Sequence, residues 1–180
     1  MASILVPLPE GFEEIETVTP IDVLRRAGHR VTLAALGANL LVAGRNGIAL
    51  QADTLLGRIP PDAIYALLLF PGGPGVRALR DSPEVRDLLG RHVMANAWLA
   101  AICAAPLVLH DAGLLSGRRF TAHPSTDTEL PAALAAERVV VDGKIVTSRG
   151  AGTALDFSLR LVELLEGPEA AQCIAQEICA

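Results

Sequence analysis

The sequence predicts an α/β fold: a mostly parallel sheet sandwiched by helices, in a single domain spanning residues 1–180. Two observations lead there. Short apolar runs alternate with stretches of helical character along the whole chain, and such runs mark strands buried on both faces. The chain is also long enough for one proper core, and 51% of it is hydrophobic against 19% charged. That balance excludes a disordered or coiled-coil chain. Only 3% of the residues are aromatic, so Leu, Val, Ile and Ala must build the core.

Residues 4–6 read as the first strand, followed by a helical stretch at 13–28 that stops at Gly28. A second strand is read at 31–35. Residues 41–50, bent around Gly44 and Asn46-Gly47, read as a hairpin. The apolar run 67–70 gives the next strand. A helix at 83–97 follows, opened by Ser82 as N-cap, Pro83 at the first helical position and Glu84 in the first turn. A strand at 99–102 leads into a helix at 104–112, stopped by Gly113, and a short strand is read at 119–122. A second hairpin covers 139–146, bent at Asp142-Gly143, with residues 145–147 as a strand. The last helix spans 153–165, with Gly167 beyond it. Such alternation implies right-handed β-α-β crossovers and a parallel sheet with helices on both sides.

A formal charge of -5 without a basic run leaves no electrostatic footprint for nucleic acid or for an anionic membrane. The apolar stretch 98–109 is too short to span a bilayer and contains Pro106. The N-terminus lacks the basic residues of a secretory signal. Three cysteines do not make a disulfide framework. A cytoplasmic protein with reduced thiols is the expectation.

In open α/β sheets, ligands gather beyond the carboxyl ends of the strands, which directs attention to Cys103. Residues 99–102 run apolar into Cys103, small residues follow at once, and Pro106 falls in the first helical turn. This is the layout of a nucleophile elbow, whose helix N-terminus would favour the thiolate. The same Ala-rich segment suits a cysteine that is only a small buried hydrophobe, so both readings stand at this point. Cys173 and Cys179, in a terminal helical segment, read as structural.

Possible partners lie after the other strands. The turn Pro71-Gly72-Gly73-Pro74-Gly75 is either a plain tight turn or a source of backbone donors, in which Gly72 and Gly73 join Ala104 in an oxyanion hole. It is too short for a dinucleotide fingerprint, and no P-loop follows it. Glu13 and Glu14 suit the dipole of the first helix. Glu16 differs: Pro20, four residues on, removes the hydrogen bond to its carbonyl and predicts a distorted turn. The expectation is that Glu16 meets Cys103 and keeps its proton while the sulfur loses its own. His123 is a natural partner for a thiol, though a histidine before proline also suits a turn. His29, His92 and His110 read as structural. No Cys/His spacing suggests a metal, and no cofactor is implied.

Taken together, Gly11-Phe12-Glu13-Glu14-Ile15-Glu16-Thr17-Val18, Pro71-Gly72-Gly73, Ala100-Ala101-Ile102-Cys103-Ala104-Ala105-Pro106 and Thr147-Ser148-Arg149-Gly150 resemble the DJ-1/ThiJ/PfpI superfamily, in the branch of DJ-1 and YajL. The resemblance runs in register from Ile4 to about Leu165. It implies a flavodoxin-like three-layer sandwich and a homodimer. It also implies an oxidisable cysteine, matched by Cys103, beside a protonated glutamate, matched by Glu16, with His123 matching a nearby histidine. The activities it implies are a glutathione-independent glyoxalase or deglycase acting on small aldehydes, or redox-responsive, chaperone-like stress protection through Cys103. Three departures stand out. Ala104 replaces the histidine that follows the cysteine in the peptidase members, which argues against a peptidase. Ala151 stands where relatives carry proline in an Arg-Gly-Pro-Gly-Thr turn. The tail after Gln176 does not match.

Overall fold

The computed structural model describes residues 1–180. Its strands are β1 (Ser3–Leu8), β2 (Arg30–Ala35), β3 (Leu41–Ala43), β4 (Ala49–Gln51), β5 (Thr54–Leu55), β6 (Leu67–Phe70), β7 (Trp98–Ile102), β8 (Val139–Asp142) and β9 (Ile145–Ser148). The helices are α1 (Glu14–Arg26), α2 (Val76–Asp81), α3 (Pro83–Met94), α4 (Pro106–Asp111), α5 (Ala154–Glu166) and α6 (Pro168–Glu177). Seven strands form one sheet in the order β5-β2-β1-β6-β7-β9-β8, and β3 pairs with β4 outside it. Every pairing in the large sheet is parallel except β8 with β9.

The continuous apolar runs follow from burial on both sides. Ile4, Val6, Leu67, Leu69, Ala100 and Ile102 join a cluster of 22 buried residues with α1 and α5. Their alternates Leu5, Leu68, Phe70, Leu99 and Ala101 join one of 21 with α2, α3 and α4. Neither face is left to water, so alternation of polar and apolar residues is absent from the central strands.

The first strand is longer than residues 4–6 and continues through Pro7 to Leu8. The Ser3 carbonyl accepts from Ala66 N–H and the Leu8 carbonyl from Leu36 N–H, so alternate residues address the two neighbours. Pro7 faces the β6 side, beyond Leu5, the last residue paired there. Its missing N–H therefore leaves no gap in the ladder. The split between β1 and β6 is also where the chain reverses its order across the sheet, the position at which such sheets form a crevice.

Other differences are local. The predicted helix at 104–112 begins only at Pro106. The short strand expected at 119–122 is not a strand. Its N–H groups turn to side chains instead: Arg119 N–H donates to Asp142 and Thr121 N–H donates to Thr147 Oγ1 at 2.9 Å. Nor does Pro20 break α1, which runs unbroken from Glu14 to Arg26 with Pro20 buried on its inner side. Ser82 does cap α3, accepting from Val85 N–H at 3.2 Å.

Candidate functional site

The loops after β1, β6, β7 and β9 meet at one edge of the sheet. Cys103 follows β7 directly and has φ +66°, a left-handed conformation that costs a non-glycine residue on the order of 1–3 kcal/mol. Two backbone bonds hold it there. Cys103 N–H donates to the Ser148 carbonyl at 2.9 Å, and His123 N–H donates to the Cys103 carbonyl at 2.8 Å. The strained turn lifts the sulfur to a half-buried position. The N–H groups of Ala104 and Gly73 reach it.

Glu16 arrives from α1. Glu13 caps that helix, accepting from Glu16 N–H at 2.8 Å. Its own N–H donates to the Gly72 carbonyl at 3.0 Å, which ties α1 to the loop after β6. Glu14 turns the other way and accepts from Asn46 N–H and Asn46 Nδ2, holding the β3–β4 turn. Each glutamate thus has a specific partner beyond the helix dipole. The Glu16 side chain is 1% exposed. Its carboxyl accepts from Gly72 N–H at 3.1 Å and interacts with the Cys103 thiol.

Gly72 provides the room for this meeting. A Cβ there would lie 2.3 Å from Glu16 Oε2, 2.6 Å from Cys103 Cβ and 3.1 Å from Cys103 Sγ. Gly72 therefore positions the carboxyl with its N–H, whereas Gly73, at φ +93°, offers its N–H to the sulfur. Of the two glycines expected to supply backbone donors, Gly72 thus gives its N–H to Glu16.

Burial pushes the Glu16 carboxyl up to about 7, with the charge of Glu13 adding to the rise. Burial, the Glu16 charge and the Glu16 hydrogen bond push the Cys103 thiol up to about 12, against the Ala104 and Gly73 N–H groups. The raised carboxyl agrees with the expected direction. The thiol departs from it, because α4 begins three residues later and has only six residues, too little dipole to offset burial beside a carboxylate. Burial and the neighbouring charge thus push both groups toward their protonated forms.

His123 sits at the mouth. It is exposed, and its Nδ1 is hydrogen-bonded to Ser125 Oγ at 2.9 Å and Ser125 N–H at 3.1 Å. Its Cδ2 edge would be 3.3 Å from a Cβ on Gly150, which in turn would lie 3.8 Å from Glu16 Oε1. Gly150 was missed as a site residue because its contribution is absence of a side chain. His92 is structural, with Nδ1 bonded to the Leu88 carbonyl and Nε2 accepting from Tyr65 N–H. Cys173 and Cys179 are exposed free thiols away from any such constellation. No group of three or more His, Cys, Asp or Glu is placed to hold a metal ion. A cleft of about 480 Å³ between α2, α3 and α4 is lined by Leu79, Leu89 and Val108 among others, and by none of the candidate residues.

This thiol, carboxyl and glycine arrangement lies on a chain whose residues 2–164 match the model of the DJ-1/PfpI family. The chain belongs to that family. It is 42% identical over 169 residues to Protein DJ-1 homolog B of Arabidopsis thaliana, covering 92% of this chain but only 38% of that relative. It is 34% identical to the glutathione-independent glyoxalase DJR-1.2 of Caenorhabditis elegans, covering 99% of this chain and 95% of that one. The structure of oxidized Toxoplasma gondii DJ-1 superposes with a TM-score of 0.93 at 36% identity, covering 99% and 98%. The flavodoxin-like three-layer sandwich is thus the fold of this DJ-1/PfpI chain. No helix in it is long and apolar enough to cross a membrane.

Proposed function

We propose that this DJ-1/PfpI protein is a cysteine-dependent, glutathione-independent enzyme of the glyoxalase or deglycase type, acting on 2-oxoaldehydes such as methylglyoxal or on their early adducts. The observation that carries the reading is the Glu16 carboxyl facing the Cys103 thiol, with Gly73 and Ala104 N–H groups on the sulfur. The name of the 34% identical worm relative points the same way.

In this mechanism the Cys103 sulfur adds to the aldehyde carbon as its proton passes to the Glu16 carboxylate. The former carbonyl oxygen takes up the developing charge near Gly73 and Ala104 N–H and is then protonated, giving a hemithioacetal. Glu16 next carries a proton from C1 toward C2 through an enediol-like stage, leaving a thioester of the 2-hydroxy acid. Water cleaves the thioester, releasing lactate and the free thiol. His123, at the mouth, is assigned to this last step. Overall, methylglyoxal and one water become lactate, with no net oxidant.

Purified protein incubated with methylglyoxal, without glutathione, is expected to form lactate. Cys103→Ser should lower the rate by at least about 100-fold, a loss typical for a missing nucleophile, while Cys173→Ser and Cys179→Ser leave it unchanged. Lactate formation by Cys103→Ser at the wild-type rate would sink the mechanism.

A second reading has its own support. A half-buried sulfur beside two N–H donors suits an oxidised, anionic sulfur as well as an oxyanion, and a 36% identical relative was solved oxidized. In that reading Cys103 oxidation is itself the signal of a stress-protective protein.

A single cytoplasmic domain acting as a homodimer completes the proposal. Ile15 and Val18 on α1 are 53% and 42% exposed, and Leu41 and Ile48 on the adjoining hairpin 62% and 58%. This apolar surface suits a second copy of the chain. Sedimentation velocity at micromolar concentration should give twice the 18.8 kDa chain mass; a monomer there removes this element.

A further inference from the structure

The cleft between α2, α3 and α4 lies apart from the thiol and is bordered by a glycine that the fold itself does not require. Gly90 sits inside α3, where glycine is the poorest helix former after proline. Its conformation does not call for it, because its φ is not among the positive ones. Close packing does not call for it either: a Cβ there would meet nothing within 4 Å. What the bare position leaves open is the cleft, about 480 Å³ of room among Leu79, Leu89, Val93, Val108 and Leu114. Hollows of about 300–1,000 Å³ with apolar walls and few polar groups are the usual seats of small molecules.

Charge at the rim decides the chemistry. Arg80 of α2 donates from Nε and Nη2 to Asp111 of α4 at 2.6 and 3.0 Å. It makes a further pair of bonds to Glu129. The guanidinium of Arg80 and the carboxylate of Asp111 are thus spent on each other. Arg86 also borders the cleft. It is exposed and in no ion pair, and it stands one helical turn before Gly90, on the same face of α3. A free guanidinium beside an apolar hollow fits a carboxylate carried on a hydrocarbon chain, held by paired N–H···O bonds. We propose that this cleft binds a free monocarboxylic acid of the fatty-acid type, its tail along Gly90 and its carboxylate on Arg86. None of the candidate catalytic residues lines the cleft, so the inference stands apart from the reaction at Cys103.

Isothermal titration calorimetry of the full chain with octanoate tests the site, with octanol as the uncharged probe of the same tail. Octanoate is expected to bind, and octanol to bind about tenfold more weakly, for want of one charge-assisted hydrogen bond. Arg86→Gln should lower octanoate affinity by about the same tenfold and leave that of octanol in place. Gly90→Leu should abolish binding of both probes while raising the melting temperature by about 2–4 °C, the gain from replacing a helical glycine. Gly90→Ala, with its smaller side chain, should also raise the melting temperature and weaken both probes. Cys103→Ser should bind octanoate as the wild type does. The proposal is overturned if octanoate does not bind, if octanol binds as tightly, or if Gly90→Leu binds unchanged. A lower melting temperature in both glycine variants overturns it too, since the glycine would then be a packing requirement. Loss of octanoate binding in Cys103→Ser would put the acid at the thiol, refuting this site and leaving the glyoxalase reading untouched.

Discussion

Glu16→Gln should lower lactate formation by about 10²- to 10⁴-fold, the usual contribution of a positioned acid–base group, and at the same time make the protein more stable at pH 8. Both effects come from one placement. Folding buries the carboxyl and moves it from its ordinary value of 4.5 to about 7, so the folded chain holds this proton more tightly than the unfolded chain does. Stability therefore falls as pH rises from 4.5 to 7 and is level above. The shift corresponds to up to about 3 kcal/mol of cost carried by the ionised residue at pH 8. Glutamine has no charge to bury and removes that slope. Urea denaturation of both proteins at pH 5 and pH 8 measures it, and lactate assays across the same range should lose the limb near pH 7. A glutamine variant that turns over like the wild type would exclude Glu16 as the proton carrier.

Gly72→Ala is expected to be as damaging, by sterics alone. Its methyl would lie 2.6 Å from Cys103 Cβ, which cannot retreat because Cys103 is pinned through Ser148 and His123. The remaining freedom is in Glu16, whose Oε2 would be 2.3 Å away, so the carboxyl must leave the thiol. Misplacing a catalytic group by an ångström costs about 100-fold in rate, and overpacking costs about 1–3 kcal/mol in stability. Gly57→Ala is the control, since a Cβ there meets nothing within 4 Å. Lactate rates and unfolding midpoints for the two variants decide the matter. Wild-type turnover in Gly72→Ala would mean that carboxyl and thiol need not converge.

The strands were readable because burial on both faces leaves an unbroken apolar run, as in Leu67–Phe70. The nucleophile elbow was readable because strand, small residues and proline fall in order around Cys103. α2 was not read: its six residues, Val76–Asp81, span less than two turns and give periodicity nothing to repeat. Pro20 does not end α1, because it sits buried on the packed side of a helix that continues from Glu14 to Arg26. The direction of the thiol shift was missed because it depends on burial, which residue type does not report. The bond from Gly72 N–H to Glu16 was not legible, because the aim of a backbone N–H is set by φ and ψ.

The groups around the sulfur and the carboxyl have a consequence for how this chain tolerates change. Gly72, Gly73 and Ala104 contribute through main-chain N–H groups, which any residue other than proline possesses. What selection can see at these positions is bulk and backbone shape, while side-chain chemistry is concentrated in one thiol and one carboxyl. The mutational target for chemistry is thus very small, and the target for space is larger and made of glycines. A single added methyl at Gly72 is therefore expected to part the pair although it deletes neither member.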